Sequence, residues 1–158
     1  PKLYDIDKAS LGYGYSLTSN SLQIARAYSV FANEGVMIEP RLLSDIKSER
    51  VRVLSKSTAS FILDSLRMTV LDGTASNLKN ERIEIAGKTG TSEKYIEGVG
   101  YASEKYISSF ASIFPYNNPK FIMIVSIDEP DPNKYFGGDV SAPVVVKLSK
   151  FMLRLKYL

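Results

Sequence analysis

The chain has 158 residues and 17.5 kDa, the size of one domain, and its 44% hydrophobic and 23% charged residues match a globular protein. It contains no Cys and no His, which excludes disulfides, thiol nucleophiles, Cys/His zinc sites and a Ser-His-Asp triad within these residues. The net charge of +3 arises from 20 Lys and Arg scattered among 17 Asp and Glu, a dispersed pattern that gives no expectation of nucleic-acid binding.

A compact monomer of this mass exposes about 7,900 Å² and buries about 69% of its unfolded surface, enough for a core without covalent staples. No apolar stretch reaches the roughly 18 residues of a membrane span. The first residue is Pro1, so the chain is expected to be part of something longer.

Residues 1–17 are rich in Gly and Tyr, ending in Gly12-Tyr13-Gly14-Tyr15, and predict irregular structure. Thr18 or Asn20 offers a side-chain oxygen to cap a helix. Leu22, Ala25, Tyr28 and Ala32 follow at helical spacing, widened by Ile24 and Phe31, which predicts burial on more than one side. Gly35 supplies the stop. Residues 36–46 read as extended, with Pro40 marking an edge strand or bulge, and the charged residues 44–52 suggest a hairpin. Ser55 or Ser57 opens a second helix with Ala59, Ile62, Leu66 and Val70 on its apolar face, and Asp72-Gly73-Thr74 ends it.

Three strands are predicted next, at 83–89, 106–114 and 121–127. The last is apolar on both faces, as a strand covered on both sides would be. Asn117-Asn118-Pro119 joins the last two as an antiparallel hairpin. Residues 92–105 are expected to form a mobile loop, and 130–138 a loop rich in Pro and Gly. Asp139 or Ser141 would cap a final helix, with Pro143 in its first turn. Its apolar face is predicted as Val140, Val144, Leu148, Met152 and Leu155.

The informative tetrapeptide is Lys88-Thr89-Gly90-Thr91, expected at the end of a strand. It sets an ammonium and two hydroxyls beside a Gly that lets a ligand approach the backbone. Alternation places Lys88 and Gly90 on the face opposite Thr89. A carboxylate could accept from the hydroxyls while the ammonium adds a favourable charge.

Lys-Thr-Gly is the third motif of penicillin-binding proteins and serine β-lactamases. The chain resembles the C-terminal half of the transpeptidase domain of a class B penicillin-binding protein, the septal division type more than the elongation type. The likeness runs through Gly12-Tyr13-Gly14, 18–35, Val53-Leu54-Ser55, Asp72-Gly73-Thr74 and Ala86-Gly87-Lys88-Thr89-Gly90-Thr91. It continues in 106–115, Asp128-Glu129-Pro130 and Gly137-Gly138-Asp139-Val140-Ser141-Ala142-Pro143.

The resemblance implies an α+β fold, an antiparallel sheet flanked by helices, and residues 1–158 as one portion of a single domain. It implies peptidoglycan D,D-transpeptidation through a serine acyl-enzyme, with stem peptides and β-lactams as ligands and no metal or organic cofactor. Lys88 would bias the site positive near the Ser of Ser-x-Asn, Thr89 and Thr91 would bind the substrate carboxylate, and the Thr91 N–H would donate to the oxyanion hole. Gly90 would permit close approach. The parent would work at the outer face of a bacterial cytoplasmic membrane, beside other division or cell-wall proteins. A serine β-lactamase or D,D-carboxypeptidase relative, or a penicillin-sensing or scaffolding module, is the alternative.

The pattern departs from the family in one respect. Two Ser-x-x-Lys matches exist, Ser44-Asp45-Ile46-Lys47 and Ser76-Asn77-Leu78-Lys79, and neither stands at a helix start. Ser-x-Asn is absent from the sequence. The nucleophile is therefore expected on residues before Pro1, in a missing N-terminal half of the same domain. The strand at 121–127 would then be an uncovered edge, which predicts self-association.

Tyr13, Tyr15, Tyr95, Tyr101 and Tyr106 could line a cleft or pack strands. Asp128-Glu129 reads as a strand-end turn, because adjacent strand residues point to opposite faces.

Overall fold

A computed structural model describes residues 4–12, 17–43, 45, 47–98 and 100–155, with only the backbone described at 6, 7 and 103. Tyr13, Gly14, Tyr15 and Ser44 lie outside the described residues.

The first element is a short helix, α1 (Asp5–Leu11), where irregular chain was expected. Lys8 reaches back to Asp5 at 2.9 Å, one helical step of three residues, a pairing the Gly/Tyr count obscured. Helix α2 (Ser21–Ala32) opens on a capping box: Asn20 accepts from the Gln23 N–H, and the Gln23 side chain accepts from the Asn20 N–H, each at 2.9 Å. Its buried residues are Ser29 and Val30, with Ile24, Ala25, Tyr28, Phe31 and Ala32 half-buried and Leu22 exposed, and the helix packs against β-strands and a second helix, as a face wider than one stripe requires. Strands β1 (Val36–Ile38) and β2 (Arg50–Arg52) form the expected hairpin, ending short of Pro40.

Helix α3 (Lys56–Leu71) begins on Ser55, whose hydroxyl accepts from the Thr58 N–H at 3.0 Å. Ala59 and Val70 on its predicted face are fully buried. A 3-10 turn at Ser76–Leu78 follows and delivers the chain to the main sheet.

That sheet is antiparallel in the order β3 (Ala86–Ile96), β4 (Gly100–Phe114), β5 (Phe121–Asp128). β3 starts three residues later than predicted and runs seven further. The residues 92–105 expected as a loop are mostly paired strand, from Ser92 opposite Ile107 to Ile96 opposite Gly100. The register shifts between Glu93 and Lys94, from Glu93 opposite Tyr106 to Lys94 opposite Ala102, an irregularity of the bulge kind. The alternation in this stretch was masked by its charges, which sit on a sheet end that reaches into solvent.

One sheet face carries Phe110, Phe114, Met123 and Val125 and packs on Val145, Val146 and Ala142 of helix α4 (Ser141–Arg154), with Val70 and Ile85 completing the core. The other face, with Ile107, Ile122 and Ile124, is the one that α2 packs against. The antiparallel sheet with helices on both faces is thus the predicted architecture.

The face of α4 differs from prediction. Ala142, Val145, Val146 and Ser149 point inward, joined by the predicted Met152, while Leu148 and, just past the helix end, Leu155 are exposed. Two bulky rings, Phe110 and Phe114, already fill the layer, so small side chains face them. Nor is there a side-chain cap: Ser141 donates instead to the Ser108 carbonyl at 2.9 Å, tying the start of α4 to β4.

The chain exposes 10,620 Å². That is about a third more than a compact monomer of this mass.

Candidate functional site

Lys88, Thr89, Gly90 and Thr91 lie in the middle of β3 rather than at its end, on the outer edge of the sheet. Register fixes their faces. Lys88 stands opposite Ala111 and Gly90 opposite Ser109, on the α2 side; Thr89 stands opposite Phe110 and Thr91 opposite Ser108, on the α4 side. Thr89, Gly90 and Thr91 are half-buried, and Lys88 is exposed, its Nζ donating to the Thr89 carbonyl at 2.9 Å.

Gly90 packs closely on the neighbouring strand. A Cβ there would fall 2.5 Å from Ser109 Oγ on the neighbouring strand. The strand therefore presents bare backbone between its lysine and its second threonine.

Two segments buttress the threonines. The Thr74 and Thr89 hydroxyl oxygens are 2.6 Å apart. The Gly137 N–H donates to Thr91 Oγ1 at 3.1 Å. Asn77 Nδ2 donates to the Gly138 carbonyl at 2.9 Å, joining the turn after α3 to the loop before α4. Thr74, Asn77 and Gly137 are neighbours of the tetrapeptide to which sequence reasoning assigned no role at the site. Asp72-Gly73-Thr74 was read as a helix stop and as one segment of the family likeness, without a contact to Thr89; the tandem Gly137-Gly138 after a Pro-rich loop was the available signal for close backbone packing.

The loop that carries Gly137 is pinned to the sheet. Ser108 Oγ donates to the Tyr135 carbonyl. The Tyr135 ring stacks on Tyr106 at 3.8 Å between centroids. Burial, then the Tyr135 hydroxyl, pushes the Tyr106 phenol above its ordinary value. Tyr106 therefore packs the loop, and Tyr95 contacts Tyr101 at 5.6 Å near the hairpin tip.

Asp128 and Glu129 end β5 as expected, Glu129 in a left-handed conformation with φ 47°. Lys94 Nζ lies 2.7 Å from Asp128 and 2.8 Å from Glu129, and Lys105 lies 3.3 Å from Glu129. Hydrogen bonds from Lys94 and then Lys105 hold the Glu129 carboxyl below its usual range, and those to Asp128 and Glu129 raise the Lys94 ammonium. Both carboxylates are neutralised by lysines, which makes this an ion cluster at the hairpin base.

An open trough of about 550 Å³ lies along the Lys88 face of β3, lined by Ser92, Ser109 and Ile124 from the sheet and Thr18, Ser21 and Ile24 from α2 and the segment before it. Ser76 lies in the 3-10 turn, with no helix start behind it.

Residues 1–150 match the family described as penicillin binding protein transpeptidase domain. The chain is 32% identical, over 97% of its length, to the peptidoglycan D,D-transpeptidase FtsI homolog of Mesostigma viride, and 36% identical over 97% to the peptidoglycan D,D-transpeptidase FtsI of Buchnera aphidicola subsp. Schizaphis graminum. It spans only 30% and 27% of those proteins. Among solved structures it superimposes with a TM-score of 0.81 on the transpeptidase domain of penicillin-binding protein 3 from Burkholderia pseudomallei, at 32% identity, covering 97% of this chain and 47% of that one. A second match, also at TM-score 0.81 and 25% identical, is penicillin-binding protein 3 from Mycobacterium tuberculosis complexed with aztreonam; it covers 95% of this chain and 38% of that one.

Proposed function

The chain belongs to the penicillin binding protein transpeptidase family, and from that premise we propose that it forms the carboxylate-recognising wall of a peptidoglycan D,D-transpeptidase site. The observation that carries this reading is Lys88-Thr89-Gly90-Thr91 held at mid-strand on the sheet's outer edge, with both threonine hydroxyls on one face and the ammonium on the other.

A serine outside these 158 residues attacks the penultimate D-Ala carbonyl of a stem peptide. The tetrahedral intermediate collapses, the D-Ala amine leaves, and an acyl-enzyme forms. The amine of a neighbouring stem peptide then displaces the serine and closes the cross-link. A β-lactam acylates the same serine by opening its ring.

Thr89 and Thr91 donate to the substrate's terminal carboxylate, and Lys88 contributes positive potential. The Thr91 N–H donates to the developing oxyanion, and Gly90 leaves the edge open for the peptide backbone. The remaining half of the domain, carrying Ser-x-x-Lys and Ser-x-Asn, approaches along the trough on the Lys88 face, which brings its Ser-x-Asn serine near Lys88.

The reading extends to septal division at the outer face of the cytoplasmic membrane, among other cell-wall proteins; the peptidoglycan D,D-transpeptidase FtsI names of the relatives support its division-type, cell-wall part. The test is covalent labelling of the whole protein by a fluorescent penicillin. Labelling that survives in Lys88→Ala at an unchanged rate, or that never occurs in the unaltered protein, removes the reading.

A further inference from the structure

A threonine hydroxyl has one proton to donate and two lone pairs to accept with. Behind Thr91, the Gly137 N–H fills a lone pair and leaves the Thr91 proton uncommitted. Behind Thr89 stands Thr74, 2.6 Å away, and either oxygen of that pair could donate. The direction matters. A Thr89 that donates backward to Thr74 has no proton left for a ligand.

An anion in front of Thr89 settles it, because a carboxylate only accepts. Thr89 must then donate outward, and Thr74 must donate to Thr89. Resting on the reading above, we infer that Thr74 is the positioning residue of the carboxylate site, turning the Thr89 proton toward the ligand as Gly137 does for Thr91. The two threonines become matched donors. Each hydrogen bond in the relay Thr74 to Thr89 to carboxylate polarises the next.

Thr74 is built for this position and for little else. Its side chain is exposed, so it fills no core. Its backbone is fixed from both sides: the following residue donates from Ala75 N to the Thr69 carbonyl at 3.1 Å, and Gly138 packs on its own carbonyl. Losing the hydroxyl therefore changes the relay more than the packing.

The experiment uses the whole protein and two probes, benzylpenicillin and its uncharged methyl ester. Thr74→Val removes the hydroxyl at nearly constant shape, and Thr74→Ser keeps it. Thr74→Val is expected to slow acylation by benzylpenicillin about ten-fold, the weight of a charge-assisted bond weakened at one remove. It should leave the rate with the ester within about two-fold, and Thr74→Ser should track the unaltered protein with both probes. Should Thr74→Val fail to fold, Thr74→Ala gives the same comparison without added bulk. Equal slowing with both probes would show a merely structural residue and overturn the inference, as would unchanged rates with both. An unaltered protein that reacts equally with both probes fails one stage earlier, because it removes the carboxylate site itself.

Discussion

Gly138 packs against Thr74 so closely that a Cβ at position 138 would lie 2.0 Å from the Thr74 carbonyl oxygen. The obstruction is backbone, so no rotamer relieves it. Gly138→Ala must push the 136–140 loop off the turn that carries Thr74, breaking the Asn77 bond to the Gly138 carbonyl. The expected outcome in the whole protein is a destabilisation of about 1–3 kcal/mol, read as a lower Tm, with penicillin acylation reduced beyond what the loss of folded protein explains. Wild-type stability and reactivity in Gly138→Ala would mean that the two segments are not locked together.

Lys88→Ala in the whole protein should behave in the opposite way. The side chain is exposed and its one hydrogen bond is to a neighbouring carbonyl, so the Tm should barely move. Acylation should fall by about 10²–10³, the usual weight of one preorganised electrostatic contact (about 2.7–4 kcal/mol). Stopped-flow acylation with a chromogenic β-lactam measures it; a drop in Tm with no change in rate would make Lys88 an ordinary strand lysine.

The isolated 158 residues should form no stable adduct with a β-lactam. Ser76 sits in a 3-10 turn and not at the start of an α-helix, and an unactivated hydroxyl is a weak nucleophile. Intact-protein mass spectrometry after incubation decides the matter. A stoichiometric adduct on Ser76 or Ser44 would show that this chain carries its own nucleophile.

The ion cluster at the hairpin base sets a pH window. Glu129 titrates below an ordinary glutamate in the folded chain, so its contribution is fully present above the unfolded value and is lost as pH falls through the folded one. Lys94 titrates above an ordinary lysine, so its share is present below the unfolded value and disappears as pH rises through the folded one. Glu129 and Lys94 should therefore stay charged and paired across the whole range between the ordinary glutamate and lysine values. Below that range the Glu129 N–H, bonded to the Tyr106 carbonyl at 2.9 Å, should lose protection from exchange. Carboxyl NMR of Glu129 checks the premise, and a midpoint at or above that of free glutamate would contradict it.

The boundaries of α2 and α3 were legible because Asn20 and Ser55 are side-chain caps, a local signal. The site tetrapeptide was legible for a similar reason: four consecutive residues carry it. What was hidden depends on distant partners. Ser141 looked like a cap but donates to Ser108, thirty-three residues away. Leu148 looked like core, but Phe110 and Phe114 had already taken the space. Thr74 meets Thr89 only because the sheet and the α3 turn converge, and fifteen residues of sequence separation carry no periodicity that would announce it.

Strand β5 stands at an edge of the sheet. Phe121, Met123, Val125 and Ile127 share one face and Ile122, Ile124 and Ser126 the other. Its β4 side is fully paired from Phe121 to Asp128, while among the described residues no strand pairs its other side. No Lys, Pro or bulge interrupts residues 121–127, the devices that normally keep an edge from pairing. An edge of this kind presents unpaired N–H and C=O groups along an apolar ribbon. The excess exposed surface and the exposed Leu148, Phe151 and Leu155 of α4, the helix packed on this strand, add to the drive toward burial. Two copies can satisfy each other by antiparallel pairing of β5 with β5, which closes a two-fold dimer and consumes both edges. The isolated chain should therefore self-associate at micromolar concentration by light scattering, with the amides of 121–127 gaining protection as concentration rises. Adding the other half of the domain should compete with that dimer, because both would use the same edge. A monomer at all concentrations, with 121–127 already protected, would mean that the edge is covered from within the chain.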